Sequence, residues 1–379
     1  MILRENSRNV LLISLVAPIV MLSAFVDGGF VRRLAMALAI ILLLIPTGGA
    51  GVKIKKSELF LGLFACWLMI STLWTEAPVY MTSVISDYLG FLACMVMVGR
   101  LADAGRKSYE ALSVAYILGA LVAAFQVIQA WGQGISFEGS GRFTVGEINS
   151  NYIAYTIASA FPVLAVFSLR SSAGRSMGII AGYFAIMFLM IFAVSLTGSR
   201  GALVSIFLVI LIWGLRAFRK RFFVFFSAMF VFFLIAVLLI DYLPEQIRVR
   251  LIMGEVGGVN NDIMTGRSEI WGAAFGMIGL DPIKGLGVGA FQFINDGVAP
   301  HNLILGLLLD AGVVGFLLYF AWLFFALFSR RNATDSYLFF SSSVFIVYWI
   351  PIAMTGVWII SPAICVVLAL MASKSAKSL

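Results

Sequence analysis

The stretch "HNLILGLLLDAGVVGFLLYFAWLFFALF", residues 301–328, is apolar over nearly its whole length and indicates the class of fold. A helix of this length crosses the hydrocarbon core of a bilayer, which is roughly 30 Å thick. Comparable runs recur along the chain, which is 62% hydrophobic and 12% charged, with a mean hydropathy of +1.05. Because lipid offers the backbone no hydrogen bonds, each spanning run must form its own helix. We therefore predict an all-α, polytopic integral membrane protein.

The apolar runs predict about 12 transmembrane helices in a single membrane domain that covers residues 1–379. The polar break "TGSRG" (197–201) separates the seventh span from the eighth. The predicted spans are 9–26, 33–48, 57–74, 79–99, 109–130, 151–169, 177–196, 200–216, 222–243, 301–328, 337–353 and 355–373.

The distribution of lysine and arginine predicts the orientation of the spans, since cytoplasmic loops of membrane proteins are enriched in both. With a cytoplasmic N-terminus, 18 of the 26 basic residues fall on the cytoplasmic side. The other eight would lie outside: Arg32, Arg33, Arg142, Arg200, Arg248, Arg250, Arg267 and Lys284. We therefore predict that both termini are cytoplasmic. Anchoring at that surface accounts for the net charge of +8, so we expect membrane lipids and no nucleic acid as partners.

Two of the segments predicted to lie outside are long, 132–150 and 244–300. The second, between the ninth and tenth spans, is too long for a plain connector. Its stretch "GRSEIWGAAFGMIGL" (266–280) predicts a short amphipathic helix at the membrane interface, with Trp271 and Phe275 as apolar anchors. "DPIKGLGVGAF" (281–291) follows as a glycine-rich turn region.

Several arginines on the outer side could bind a lipid diphosphate. Arg200 follows the seventh span, whereas Arg248, Arg250 and Arg267 belong to the large loop. Arginine suits phosphate oxygens because it is always charged and donates two parallel hydrogen bonds. For Arg248 and Arg250, binding of anionic head groups or snorkelling is an equally good explanation. Arg200 lies in a short hairpin among small residues, which favours a protein cavity over lipid.

His301 is the only histidine of the chain and lies where the large loop meets the tenth span. A cationic imidazole at a helix N-terminus opposes the helix dipole, which lowers its pKa and favours the neutral form. A neutral imidazole can act as a general base, although bonding to local backbone is the alternative. Asn302 could cap the helix or orient a sugar hydroxyl. With one histidine and no cluster of cysteine, histidine and carboxylate, we expect no metal and no cofactor.

Intramembrane acids and a polar segment complete the candidates. Asp310 lies about 13 Å below His301 along a helix, and Asp87 is the other acid within a span. For both, structural pairing and a role in substrate handling remain open. "RFTVGEINSNYIAY" (142–155) brings Arg142 and Asn151 to the outer start of the sixth span, together with Glu147 and Asn149. Ser150 or Asn151 is expected to cap that helix.

The run "HNLILGLLLDAGVVG" (301–315) resembles the signature of bacterial O-antigen ligases. In that signature a histidine and Asn, Ser or Gln are followed by nine residues, a glycine, two residues and a small residue or tyrosine. Here these positions are His301, Asn302, Gly312 and Gly315. Further segments are similar to the O-antigen ligase and polymerase superfamily: "TGSRGA" (197–202), "GRSEIW" (266–271), "DPIKGLGVGAF" (281–291) and "GEINSNYIA" (146–154).

The resemblance implies a GT-C type membrane glycosyltransferase of lipopolysaccharide biosynthesis. It would move a glycan from undecaprenyl diphosphate to a hydroxyl of the lipid A–core oligosaccharide, on the periplasmic face of the bacterial inner membrane, without a metal and with inversion. Arg200 and a loop arginine would bind the diphosphate; spacing favours Arg250 or Arg248, with Arg267 as the other candidate. His301 would accept the acceptor proton or help to bind the diphosphate.

The predicted site follows from these assignments. The predicted catalytic residues are His301, Arg200 and Arg250. The predicted substrate-binding residues are Arg248, Arg267, Asn302, Asn151, Arg142 and Asp310.

Three other functions compete with the ligase. An O-antigen polymerase shares the donor but often uses two arginine-rich outer loops, whereas 132–150 contains only Arg142. A relative that transfers glycans to protein hydroxyls, a protein O-oligosaccharyltransferase, fits the same motifs. A secondary transporter would use Asp87 and Asp310 near the midplane, but many transporters show repeated halves, and no such repeat is found here.

Overall fold

The protein is helical, as predicted. The computed structural model describes residues 2–25, 31, 33–34, 38, 54–136, 141–146, 148–170, 177–219, 223, 226–227, 229–230, 234, 241, 243–253, 267–328, 336–356 and 361–373, and these residues form helices and connecting turns with no strand. The helices whose two ends are described are α1 (Ile2–Leu22), α2 (Lys56–Ser71), α3 (Pro78–Asp103), α4 (Arg106–Gly132), α5 (Ser150–Ala158), α6 (Ala160–Arg170), α7 (Met177–Leu196), α8 (Arg200–Ala217), α9 (Glu245–Met253), α10 (Arg267–Ile278), α11 (Ala290–Ile294), α12 (Leu303–Phe328), α13 (Ser336–Ala353) and α14 (Pro362–Ala372).

Several helices meet the length and composition that a membrane span requires. In the described part of the chain, the segments long and apolar enough to cross a bilayer are Arg106–Gly132, Ser150–Leu169, Arg200–Ala217 and Leu303–Phe328. The break between the seventh and eighth predicted spans is confirmed, since α7 ends at Leu196 and α8 begins at Arg200. Most residues of the predicted spans 33–48 and 222–243 lie outside the described residues, so the number of 12 spans remains a prediction.

One apolar core connects α1 with α14, and its largest fully buried side chains include Trp322, Tyr109 and Tyr348. The most extensive helix contacts join α12 to α2, α1 to α4, α13 to α8 and α14 to α3. Between α1 and α4, Gly119 lies against the main-chain carbonyl of Met21, where a Cβ atom would overlap it. Small residues of this kind let two helix backbones approach each other closely within a membrane.

The glycine-rich segment 281–291 docks into a break in α12. Gly312 has φ 62° and ψ −168°, so the helix is interrupted there. The backbone groups released by the break bond to the segment: Leu286 N donates to Leu309 O at 2.7 Å, and Val313 N donates to Pro282 O at 2.9 Å. Irregular backbone in a membrane protein is tolerated where other protein groups satisfy its hydrogen bonds in this way.

The helix predicted at 266–280 is present as α10 and packs on the N-terminal half of α12. Ala274 of α10 forms a small apolar cluster with Phe291, Leu305 and Leu309. The indole of Trp271 packs against the same cluster and donates to Pro300 O at 3.0 Å, so it holds α10 to the residues before α12. Phe275 is 64% exposed. An interfacial position of α10 remains a prediction.

Candidate functional site

The hairpin between α7 and α8 presents Arg200. Gly198 adopts φ 67°, which allows the tight turn, and the neighbouring Thr197 and Ser199 are buried. Arg200 is the first residue of α8 and is half-buried. Within the described residues its guanidinium makes no hydrogen bond or ion pair. This guanidinium is therefore positioned by the turn and not neutralised by a described carboxylate.

Arg142, in the neighbouring loop, stabilises this hairpin through hydrogen bonds. Its side chain is buried, its Nε donates to Thr197 O at 2.8 Å, and its Nη2 donates to Asn151 Oδ1 at 2.7 Å. The next residue, Phe143, donates its backbone N–H to Leu196 O at 3.2 Å. Two predicted substrate-binding residues, Arg142 and Asn151, are thus brought together, and their observed contacts position the hairpin that carries Arg200.

The cap of α5 differs from the prediction. Ser150 or Asn151 was expected, but Asn149 is the N-cap, and its Oδ1 accepts from Asn151 N at 2.9 Å. The difference has a physical reason: the side chain of Asn151 is already bonded to Arg142, and Asn149 has the extended backbone that a cap requires. Glu147 lies outside the described residues.

Tyr155, which the sequence analysis did not select, connects the hairpin to α13. Its hydroxyl bonds to Thr355 Oγ1 at 2.5 Å and also contacts Ser199. Because Thr355 donates to the Pro351 and Ile352 carbonyls, the tyrosine is the donor in the first bond. The same hydroxyl lies where a Cβ at Gly201 would be, so glycine is required there. Nothing in the local sequence around Tyr155 separates it from other tyrosines of the chain.

Asn302 caps α12, which confirms one of its two predicted roles. Its side chain is buried, and its Oδ1 accepts from Ile304 N at 2.9 Å and from Leu305 N at 3.2 Å. Its amide nitrogen lies 3.9 Å from the sulfur of Met354, at the end of α13 next to Thr355. The cap therefore places the start of α12 beside the residues that contact Tyr155.

His301, directly before the cap, is held in an unusual backbone conformation. Its φ is 48°, in the left-handed region that few non-glycine residues adopt, and the residue is partly exposed and partly buried. The pKa of His301 is lowered from the ordinary value of 6.5, first by partial burial and second by the positive charge of Arg267. Both causes disfavour the imidazolium, so the ring is neutral at physiological pH.

Arg267 lies close enough to two parts of the site, His301 before α12 and Tyr155 on α5, for its charge to act on both. It is the first residue of α10, is half-buried, and makes no hydrogen bond or ion pair with the residues that the structure describes. Its positive charge acts on His301 and on the hydroxyl of Tyr155, and the positive charge of Arg142 acts on that hydroxyl too. The helix ends that carry Arg267, His301, Tyr155 and Arg200 thus meet at one end of the bundle.

Other predicted site residues have different surroundings. Arg248 on α9 forms an exposed ion pair with Asp241 at 3.1 Å. Arg250 lies on the same helix, but its side chain falls outside the described residues, as does that of Asp87. Asp310 accepts a hydrogen bond from Gly289 N at 3.2 Å, so it binds the segment docked in the α12 break. No described contact joins Arg248 or Asp310 to His301.

The arrangement combines an anion-binding and a proton-accepting function. Arg200 and Arg267 offer guanidinium groups that no described acid neutralises, and His301 offers a neutral imidazole beside one of them. In the described part of the chain, no three His, Cys, Asp or Glu side chains lie close enough together to hold a metal ion. Such a site can stabilise charge that develops on a phosphate leaving group and accept a proton nearby.

Comparison with known proteins relates part of the chain to a protein family. Residues 185–320 match the family model of the O-antigen ligase. The matched segment contains Arg200, Arg267 and His301, whereas Arg142, Asn151 and Tyr155 lie before it. A search of curated proteins found no match to this chain.

Proposed function

Because residues 185–320 match the family model of the O-antigen ligase, we propose that the protein transfers a glycan from undecaprenyl diphosphate to a hydroxyl of the lipid A–core oligosaccharide. The reaction is inverting and metal-independent, and it takes place on the periplasmic face of the bacterial inner membrane. The observation that carries the proposal is the docking of α10, which begins at Arg267, on Pro300 directly before His301, where the charge of Arg267 lowers the pKa of His301.

The two guanidinium groups are proposed to bind the donor diphosphate. When the bond between the anomeric carbon and the phosphate oxygen breaks, its electron pair goes to that oxygen and negative charge builds on the diphosphate. Arg200 and Arg267 would stabilise this charge, which is the kind of interaction that lowers a barrier most. Arg248 is less suited because Asp241 already neutralises it. Of the loop arginines with described side chains, Arg267 therefore supports the proposal best.

His301 is proposed to accept the proton of the acceptor hydroxyl. The hydroxyl oxygen attacks the anomeric carbon from the face opposite the diphosphate, which inverts the configuration, and its proton passes to the imidazole as the new bond forms. Only a neutral imidazole can accept it, and the lowered pKa of His301 keeps the ring neutral. No metal is needed where arginines stabilise the leaving group.

The surroundings of Arg142 favour a ligase over a polymerase. A polymerase would be expected to use a second arginine-rich loop for a second lipid-linked glycan. The described arginine of that loop, Arg142, is buried and donates to Thr197 and Asn151. It therefore supports the hairpin, and the loop presents no second described arginine to another substrate.

The test is transfer by the purified full chain in detergent, with undecaprenyl-diphosphate glycan, lipid A–core and EDTA, read as a gel shift of the core. We expect transfer by the parent to persist in EDTA. His301→Ala should lower the rate about 10²- to 10⁴-fold, the usual contribution of a general base. Arg200→Ala and Arg267→Ala should each lower it about 10²- to 10³-fold.

The matched control is Lys284→Gln, which removes a basic residue of the same loop. Lys284 forms an ion pair with Asp281 and lies over the ring of Trp74, so its loss should leave transfer unchanged. Lengthening of the lipid-linked glycan instead of transfer to the core would identify a polymerase, and glycosylated protein would identify a protein O-oligosaccharyltransferase. Loss of transfer in EDTA would contradict the metal-free mechanism. An intact donor and arginine variants that behave like the parent would favour a transporter.

A further inference from the structure

A cavity lies at the other end of α12, far from His301. We call it the basal cavity: it is about 260 Å³ in volume and lies between the start of α2 and the ends of α3, α12 and α14. From His301 to Phe325, which lines it, the helix runs on the order of 35 Å. The basal cavity is therefore separate from the site proposed for glycan transfer.

Ion pairs at the rim hold the surrounding helices together. Lys55 Nζ lies 2.5 Å from Asp103 Oδ2, and Ser373 at the end of α14 donates to the other carboxylate oxygen at 2.9 Å. Arg100 donates to both carboxylate oxygens of Glu58 at 3.1 Å. Both acidic residues that line the cavity are thus already neutralised by a base.

Lys56 adds a positive charge that takes no part in these ion pairs. It lines the cavity, is exposed, and its ammonium lies 5.7 Å from the centre of the Phe325 ring. It forms no ion pair with any described residue. The described lining thus has one base more than acids, which suits an anionic ligand with a single negative charge.

The inner wall of the basal cavity is apolar. Below the charged rim it is lined by Leu61, Met95, Val96, Trp322 and Ala369. A charged rim above an apolar wall matches a phospholipid, whose phosphate would meet the rim while its glycerol and acyl chain follow the wall. The volume is at or below the lower end of the usual range for ligand sites, so it fits a head group and not a glycan.

We propose that the basal cavity binds the phosphate of an anionic phospholipid, with Lys56 as its main ligand. The excess of lysine and arginine predicts that this end of the bundle faces the cytoplasm. Anionic lipids attract basic residues at that surface, typically by about 1 kcal/mol for each lysine or arginine. The bound lipid would fill the space between α2, α3, α12 and α14.

The experiment measures lipid retention by the purified full chain with native mass spectrometry. The probes are phosphatidylglycerol, phosphatidylcholine with the same acyl chains, and inorganic phosphate as a competitor. We expect the parent to retain phosphatidylglycerol over phosphatidylcholine, and Lys56→Gln to bind it about fivefold more weakly. Val96→Trp, which fills the apolar wall without changing charge, should also lower retention.

The matched control is Lys107→Gln, which removes a lysine predicted to lie on the same side, is exposed and does not line the cavity. It should retain phosphatidylglycerol as the parent does, and so should His301→Ala. Equal retention by Lys56→Gln and the parent, or an equal loss in Lys107→Gln or His301→Ala, would overturn the proposal. If millimolar inorganic phosphate displaced the lipid, the ligand would be free phosphate, and the proposal of a bound phospholipid would be overturned. Melting curves of the variants identify any that have unfolded.

Discussion

At the scale of single residues, His301 shows how its neighbours determine whether an imidazole can act as a base. Partial burial and the charge of Arg267 both lower its pKa, while the cap formed by Asn302 places it at the start of α12. Its left-handed φ of 48° costs of order 1–3 kcal/mol, which surrounding contacts must offset. A residue held in this way is consistent with the catalytic role proposed for it.

The ionisation of His301 can be measured directly because the chain has no other histidine. A lowered pKa means that the neutral form persists on acidification, so transfer should be maximal at pH 7 and fall only below about pH 6.5, the ordinary pKa of histidine. Arg267→Gln removes a positive charge and should raise the pKa of His301. Nuclear magnetic resonance of histidine-labelled protein, purified without a histidine tag, reads this shift independently of activity.

Arg248→Gln is the control for this titration, since Asp241 neutralises Arg248 and no described contact joins it to His301. In this variant the pKa of His301 should equal its pKa in the parent protein. A shift in Arg248→Gln but none in Arg267→Gln would assign the neighbouring arginine to Arg248 and contradict the site described above.

At the scale of elements, the break in α12 connects the end that carries His301 to the rest of the bundle. The broken helix and the segment 281–291 share backbone hydrogen bonds, and Trp67 on α2 donates to Ala311 O at 2.8 Å. Asp310 holds Gly289 of the same segment. These contacts determine the direction of the N-terminal half of α12 and thereby the position of His301.

Gly312→Ala tests this junction. The backbone at Gly312 (φ 62°, ψ −168°) lies in a region that is essentially restricted to glycine, and an added Cβ would overlap the carbonyl of Ile283 and the nitrogen of Gly285. We expect a loss of at least about 1–3 kcal/mol in the free energy of unfolding, with a reduced rate of transfer. Thermal unfolding in detergent measures the first and the gel shift of the core measures the second.

Gly182→Ala is the matched control, because Gly182 lies in α7 with no other atom within 4 Å of an added Cβ. Alanine there should be neutral or stabilising by up to about 0.5–1 kcal/mol through its helix propensity. If Gly312→Ala were as stable as Gly182→Ala, the docked segment would not depend on the break.

At the scale of the whole molecule, the two proposed sites lie at opposite ends of α12 and are formed by different sets of helices. The transfer site combines ends of helices that are far apart in sequence, from Arg142 to Thr355. The basal cavity is bordered by ion pairs between the start of α2 and the end of α3, and by the hydrogen bond that Ser373, after α14, donates to Asp103. Glycan transfer at one end and lipid binding at the other would place the two sites in different leaflets.

The orientation that this arrangement requires can be tested by cysteine labelling. In a chain whose Cys66, Cys94 and Cys365 are replaced by alanine, Lys284→Cys should react with an impermeant maleimide in closed spheroplasts. Lys107→Cys should react only after the membrane is disrupted, because its side is predicted to face the cytoplasm. The reverse pattern would invert the topology and contradict a periplasmic transfer site.

The helical class, the hairpin before Arg200, the presence of α10 and the family resemblance could all be predicted from the amino-acid sequence, and the match over residues 185–320 confirms the resemblance. These features depend on hydropathy, on turn residues and on motif spacing, and all of these are local properties of the chain. The number of spans was not settled, because most residues of two predicted spans lie outside the described residues.

Which side chains meet could be read only from the way the helices pack. Spacing favoured Arg250 or Arg248 as the loop arginine, and this remains a prediction because the side chain of Arg250 lies outside the described residues. The structure shows that Asp241 pairs with Arg248, and that α10, which begins at Arg267, docks on α12 so that the charge of Arg267 lowers the pKa of His301. The structure also shows that Arg142 donates a hydrogen bond to the hairpin before α8 and that Asp310 accepts one from the segment 281–291. Tyr155 links α5 to the end of α13 through Thr355. Such contacts depend on how separate helices pack against one another, and no local pattern in the chain encodes that packing.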